Sequence, residues 1–427
     1  MKLLLVLTEF PPRIGGMQTH ALRLATALWA RGHDVVVQTY RACTRIEQRE
    51  GPRVDAALGF PVYRDLSRLS HERNLQLIAD RVKSIAPDIV YSSTIFYGEV
   101  AGRCGIPVVA RSVGNDVLRP WIVYPFRLFS GVVGASWFEG RIYRFFRSLE
   151  YPERIEAIWR GSRRARMMIS AQYHSAILAN SHFTVELLRD IGVEPQVVEQ
   201  VTGGVDSESF VKASAAECVE LRSEFGIGLN DWVMLTACRL VKKKGIDFLI
   251  ESMTAVRERI PNAVLVIVGS GREQKKLRRL VTSHGLEQAV LFLGRIPHES
   301  VARLYSLADV FVLASRVWTD PVTGLRDAET MGRVLCEANA AGVPVVAASS
   351  GGIPSVIEHG QNGLLFTPDD ADSLVHSLSR LYRDEELSRG MVQRGRKASI
   401  ERFDWRHIVD AHVRVFDRVV KVQRGAA

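Results

Sequence analysis

The sequence predicts an α/β protein of two parallel-sheet domains, and three observations carry that prediction. Its 427 residues exceed what one core serves, since chains usually divide beyond roughly 250–300 residues. Short apolar strands alternate with amphipathic helical stretches, and the strands are continuous apolar runs rather than alternating ones. Such runs mean burial on both faces, which is found where helices cover both sides of a parallel sheet. Finally, the strand–helix series begins afresh past the middle of the chain.

The first series opens with a strand at Lys2–Thr8, a helix from about Met17 to Ala30 closed by Gly32, and a strand at Val35–Thr39. It continues with a strand at Asp88–Ser92, a helix around Ile95–Arg103, strands at Pro107–Arg111 and Ala176–Ala179, and a helix at His182–Ile191. The second series has strands at Trp232–Ala237, Ala263–Val268, Val290–Leu293, Val310–Ala314 and Pro344–Ala347. Helices at Ile246–Arg259, Arg272–Ser283, His298–Leu307 and about Gly332–Ala341 alternate with them. Two such series imply two Rossmann-like domains facing each other across a cleft. The break falls near Gln196–Glu217, which contains Gly203-Gly204 and few long apolar runs. The expected layout is an N-terminal domain over 1–200, a C-terminal domain over 201–400 and a last helix over 401–427.

Composition narrows the function classes. With 47% hydrophobic and 24% charged residues the chain is an ordinary globular one. Five cysteines, an odd number with no C-x-x-C pair, argue against a secreted disulfide framework and a cysteine zinc site. A cytoplasmic location is expected. The opening apolar run is five residues long and ends at Glu9-Phe-Pro-Pro12, which reads as a buried strand rather than a leader. The window Trp121–Phe138 contains Pro125 and Arg127 and is too short and too broken to span a bilayer.

Net charge is +9, and much of it is local: Arg141 to Arg166 holds eight arginines and three glutamates. The surrounding segment, 119–161, interrupts the strand–helix alternation and is dense in aromatics, with Arg141, Arg144 and Arg147 at i, i+3, i+6 on one side of any helix formed there. Two readings fit it. One is a helical insertion packing its aromatics on the first domain; the other is a surface for an anionic membrane or an amphiphilic acceptor.

The chemistry-bearing stretches lie mostly in the second series. Glu329 and Glu337 are eight residues apart around Gly332, which opens a helix. Free amides at Gly332, Arg333 and Val334 favour an anion such as phosphate, and the carboxylates accept hydrogen bonds from sugar hydroxyls. Two glutamates near a helix start are also common on plain surfaces. Arg239 and Lys244-Gly245 follow a buried strand and lead into a helix, where a guanidinium and an ammonium can hold a diphosphate. Gly269-Ser-Gly271 is half a dinucleotide fingerprint and weak alone. Gly15-Gly16, after the first strand, fits either a tight turn or a ligand contact.

Together, Glu329-x7-Glu337, Arg239…Lys244-Gly245, Gly15-Gly16, Gly204-Val205-Asp206 and Gly351-Gly352-Ile-Pro354 resemble the retaining glycosyltransferases of family 4, which have the GT-B fold. The similarity runs from strand one to Phe403-Asp-Trp405. The resemblance implies a nucleotide-diphosphate sugar held mainly by the C-terminal domain: Arg239 and Lys244 on the leaving diphosphate, Glu337 on ribose, and Glu329 on the transferred sugar. Further donor contacts fall at Gly16, Met331, Gly332, Arg333 and Val334, and Gly294-Arg295-Ile296 takes the base. The last helix, near Trp405–Lys421, would return to the first domain.

Fixed cations at the leaving phosphate make a metal unnecessary, and no Asp-x-Asp or His cluster offers metal-ligand spacing in the expected place, so no metal or other cofactor is expected. The resemblance also implies that the leaving phosphate takes the acceptor's proton. The family's histidine in a His-Gly-x-Asp-like element is Val113 here, before Gly114-Asn115-Asp116, and the glutamate after Gly-Gly-x-Pro is Ser355. Acceptor-side candidates are therefore Gly15, His20, Asn115 and Asp116. The loop Val317–Arg326 before Glu329 is longer than a minimal turn and either shapes substrate selection or covers the site.

The expected donor is a UDP-sugar, with GDP-mannose as the other donor considered. The expected acceptor is a saccharide, a lipid-linked sugar, a growing surface polysaccharide or a small metabolite. The alternatives are a GT-B-fold nucleotide-sugar epimerase and, from pI ≈ 9.4, a nucleic-acid-binding protein. No recognised reading motif accompanies the basic residues, so no nucleic-acid partner is expected.

Overall fold

The computed structural model describes residues 1–12, 15–118, 136–148, 160–210, 213–296 and 298–425. By contacts the chain forms two units. The first comprises Met1–Thr202, Asp320–Leu325 and Ile408–Ala427; the second comprises Gly203–Thr319 and Arg326–His407.

The first unit is built on seven parallel strands: β1 (Lys2–Val6), β2 (Asp34–Tyr40), β3 (Val62–Leu66), β4 (Ile89–Ser92), β5 (Val108–Ser112), β6 (Ala176–Ala179) and β7 (Val198–Gln200). They lie in the order β3-β2-β1-β4-β5-β6-β7. In the second unit the strands are β8 (Trp232–Ala237), β9 (Ala263–Val268), β10 (Val290–Gly294), β11 (Val310–Leu313), a two-stranded hairpin β12 (Trp318–Thr319) and β13 (Arg326–Asp327), then β14 (Val345–Ala348) and β15 (Leu364–Phe366). Its sheet runs β10-β9-β8-β11-β14-β15. In each sheet the first strand has the second on one side and a later one on the other. That reversal of order is where open α/β sheets leave a crevice at the strands' carboxyl ends.

The continuous apolar runs are explained by burial on both faces. Along β8 and β9, Val233, Leu235, Val264 and Val266 enter one core, and Met234, Leu265 and Ile267 enter the core on the opposite face. Phe311 and Leu313 of β11 divide from Val310 and Val312 in the same way. The chain is thus two parallel-sheet, Rossmann-like units, as the sequence predicts.

Some elements differ from expectation. The helix expected around Ile95–Arg103 is a 3-10 turn, Ile95–Tyr97, followed by the helix Glu99–Cys104. A Cβ at the intervening Gly98 would meet the Ser170 carbonyl, so the chain is pressed against its neighbour there. Between Tyr40 and Asp88 lie β3 and two unanticipated helices. Arg45–Ala56 is started by a capping box of Thr44 and Glu47, and His71–Ile85 by the Ser70 hydroxyl. β3 is a polar edge strand, Val-Tyr-Arg-Asp-Leu, with no buried run to announce it.

Most of the aromatic-basic segment, and the Arg147 side chain within it, lies outside the described residues. The helix Ser136–Ser148 is described and is anchored by Glu139, which is fully buried and accepts from the Arg68 amide and from Ser67 Oγ at 3.2 Å. Arg141 and Arg144 are exposed, and Arg144 donates to the Cys43 carbonyl at 3.0 Å. Among the described residues no helix is long and apolar enough to cross a membrane. The helix Trp405–Gly425 joins the first unit from Ile408 onward, where Val409, Val415 and Phe416 are buried.

Candidate active site

In the second unit the residues singled out from the sequence stand at the carboxyl ends of the strands. Past β8, Lys242–Lys244 form a single 3-10 turn closed by Gly245 at φ 62°. A Cβ on Gly245 would stand 2.1 Å from the Ala314 carbonyl, so glycine is required both by conformation and by the close approach. This packing holds Lys244 against the chain leaving β11.

Lys244 Nζ donates to Glu329 Oε2, and both side chains are largely buried. Burial alone would push the Glu329 carboxyl up. Lys244 first and Lys243 second outweigh it, with help from the Gly332 amide, and hold the group at about 2. The two lysines thus favour the carboxylate form of Glu329. The same pairing holds the Lys244 ammonium above its ordinary value despite burial. Arg239, one turn earlier, is exposed, and no carboxylate pairs with its guanidinium among the described residues.

Beyond Glu329 the chain passes the buried Met331, whose sulfur accepts from the Gly203 amide at 3.1 Å. Gly332 then leads into the helix Arg333–Ala340. Glu337 is buried in this helix. It accepts from Tyr305 Oη at 3.1 Å and pairs with Arg333 at 3.1 Å, one turn earlier. Val334 is half-buried and packs on the same core. The Gly351-Gly352 turn lies against this segment: the Gly352 amide donates to the Glu329 carbonyl at 2.8 Å, and a Cβ there would sit 1.9 Å from the Thr330 carbonyl. That contact explains why two glycines stand in this stretch.

At the end of β10 a register shift brings the Gly294 carbonyl to the Gly269 amide at 2.7 Å. Arg295 is exposed and Ile296 half-buried. Several functional candidates escaped the sequence reading. Lys243, Asp327 and Arg316 form ion pairs around Glu329's segment, and Tyr305 buttresses Glu337. A signal existed in Asp327, an acidic residue two positions before Glu329, as Lys243 immediately precedes Lys244. Among the described residues no group of three or more His, Cys, Asp or Glu side chains is arranged to hold a metal ion.

In the first unit, Gly15 precedes and Gly16 opens the helix Gly16–Ala30, which has no side-chain cap. His20 on that helix has its ring 5.8 Å from the His412 ring, tilted at 47° to it. Asn115 follows β5 and is half-buried, its amide oxygen without a donor among the described residues. Asp116 is buried; it accepts from Ser112 Oγ at 2.7 Å and the Ile95 amide at 3.4 Å, and burial pushes its carboxyl up to about 6. Ser112 and Asp116 brace the turn after β5. The structure therefore gathers Lys244, Glu329, Met331, Gly332, Arg333, Val334 and Glu337 into one cluster in the second unit. In the first, Gly15 and Gly16 stand at the start of the helix Gly16–Ala30, His20 within that helix, and Asn115 and Asp116 just past the end of β5.

Comparison with known proteins assigns both halves. Residues 14–209 match the model of Glycosyltransferase Family 4, and residues 219–398 match that of the group 1 glycosyl transferases. A GDP-mannose-dependent alpha-(1-6)-phosphatidylinositol monomannoside mannosyltransferase of Mycolicibacterium smegmatis is 33% identical over 209 residues, 49% of this chain and 53% of that protein. The chain thus spans about half the length of this curated relative. An uncharacterised glycosyltransferase of Methanocaldococcus jannaschii is 27% identical over 97% of this chain and 98% of its own. The crystal structure of Anabaena HepE in complex with UDP superposes with a TM-score of 0.73 at 20% identity, covering 98% of this chain and 100% of that one, which shows the GT-B fold. With a glycosyltransferase model on each half and this fold throughout, the chain belongs to the family 4-type glycosyltransferases.

Proposed function

We propose that the protein transfers a hexose from a nucleoside-diphosphate sugar to an acceptor hydroxyl with retention of anomeric configuration and without a metal ion. The observation that carries this reading is the buried Lys244–Glu329 pair at the end of β8, beside the Gly332 amide and the exposed Arg239. As the C1–O bond to the diphosphate breaks, negative charge grows on the leaving oxygen and positive charge on C1. Lys244 and Arg239 stabilise the first, and the Glu329 carboxylate orients sugar hydroxyls and favours the second. The acceptor oxygen forms the new bond on the same face, and its proton passes to the leaving phosphate. Glu337 takes the ribose hydroxyls, and Gly294, Arg295 and Ile296 take the base.

The sequence reading favours a UDP-sugar. The name of the Mycolicibacterium relative puts GDP-mannose first among donors to test, and a lipid-borne saccharide first among acceptors. The exposed Arg141 and Arg144 fit an acceptor presented at an anionic membrane surface. The test is a transfer panel with GDP-mannose and UDP-hexoses, run in EDTA, with the product's anomeric configuration read by proton NMR. A retained linkage formed in EDTA supports the reading. An inverted linkage, a strict metal requirement, or isomerised donor without acceptor would overturn it.

A further inference from the structure

We propose that Lys243 is a positioning residue, which fixes Glu329 opposite Lys244 by fastening both legs of the β12–β13 hairpin. The inference rests on the donor-site reading above and adds to it the element that sets the geometry of that site.

Lys243 is 6% exposed, and a lysine is driven that far from water only when its charge is matched. Its Nζ donates to Asp327 Oδ1 at 2.9 Å and to the Ala328 carbonyl at 2.8 Å. Its own carbonyl accepts from the Arg316 amide at 2.8 Å. One residue therefore grips the chain just before β12 and again at the end of β13. The first leg is held a second time, since Arg316 donates to both oxygens of Asp247 at 2.7 and 2.6 Å and to Asp369 at 2.6 Å. The second leg is held by Lys243 at both Asp327 and Ala328, and it runs directly into Glu329.

The order of residues makes the coupling tight. Lys243 and Lys244 are adjacent, and so are Ala328 and Glu329, so the staple and the Lys244–Glu329 pair are consecutive rungs between the same two segments. Releasing the first rung frees the second to slide. A misplacement of about 1 Å at a reacting centre costs roughly 100-fold in rate. The free nucleoside diphosphate, in this reading, is held by Arg239, Lys244 and the amides after Glu329. It depends less on where the Glu329 carboxylate points than the transferred hexose does.

The experiment compares the full-length wild type with K243M, K243R, D327N and the K243M/D327N double variant. It measures kcat and KM with the productive donor, and Kd for free GDP and UDP. The expected result is a kcat about 30- to 100-fold lower in K243M with nucleotide Kd within about twofold. K243R should recover most of the loss, and the double variant should be no worse than the worse single one, because both remove the same contact. Should K243M fail to fold, K243R against D327N still decides. A K243M enzyme with wild-type kcat, however low its melting temperature, would show a purely structural lysine and overturn the inference. So would parallel loss of nucleotide binding, which would make Lys243 a donor ligand. A wild type that neither binds a nucleotide nor transfers a sugar would instead sink the proposed function, and this inference with it.

Discussion

In the first unit β1 is flanked by β2 and β4, and in the second β8 is flanked by β9 and β11, so the same strand order leaves the same crevice at both carboxyl edges. The chemistry at those edges is not the same. The second unit pairs Lys243 with Asp327, Lys244 with Glu329, and Arg316 with Asp247 and Asp369. In the first, Ser112 and Asp116 brace a turn, and Asp116 is the carboxyl that burial drives toward neutrality. The fold sets where a ligand can bind. In the proposed function the charge pattern then decides which half deals with the leaving diphosphate, and the cations favour the second.

The sharpest way to break this contrast is to remove charge from the second unit. Glu329→Gln and Lys244→Ala are each expected to lower transfer by about 1,000-fold or more. Each also leaves a buried partner unpaired, so folding stability should drop by roughly 3 kcal/mol, visible in a melt. A variant retaining near wild-type turnover would remove the site assignment. Arg239→Ala separates chemistry from stability, because the side chain is exposed. Its kcat should fall about 100-fold with stability within about 0.5 kcal/mol of wild type.

The first unit answers to pH instead. Asp116 holds its proton up to about 6 when folded, whereas the free carboxyl loses it near 3.8. Between those values the folded state binds more protons than the unfolded one, so this residue's contribution to stability declines as pH rises from about 4 to about 6. Asp116→Asn should flatten that decline in urea melts taken across the window. An unchanged slope would mean that Asp116 is ionised in the folded protein. The smallest expected effect is on surface binding. R141A/R144A/R147A should reduce sedimentation with anionic vesicles several-fold at low salt and little at high salt. Equal sedimentation would favour a helix that serves only to pack.

How much of this was legible beforehand follows from what each residue had to announce itself with. β8, β9 and the helix Ile246–Arg259 match their expected bounds, the strands because both sheet faces are buried and every strand residue but Thr236 is apolar. β3 and β7 escaped because edge strands are short and mixed in character. The helix at Arg45–Ala56 carried its signal in Thr44 and Glu47, a capping box that the apolar pattern overshadowed. At the site, Lys244 and Glu329 stood out through their spacing from glycines. Lys243 did not, because a run of three lysines reads as a solvated loop until the fold turns the middle one inward onto Asp327. Long-range pairing of that kind joins residues 84 positions apart and leaves no periodic trace.

The measurement that most directly tests the assignment of diphosphate binding to the second unit is calorimetric titration of GDP and of UDP, in EDTA, into the wild type and into Lys244→Ala. One of the two nucleotides is expected to bind the wild type without metal, and the substitution to weaken that binding by about 100-fold. Binding that appears only when magnesium or manganese is restored, or that survives intact in Lys244→Ala, would contradict it.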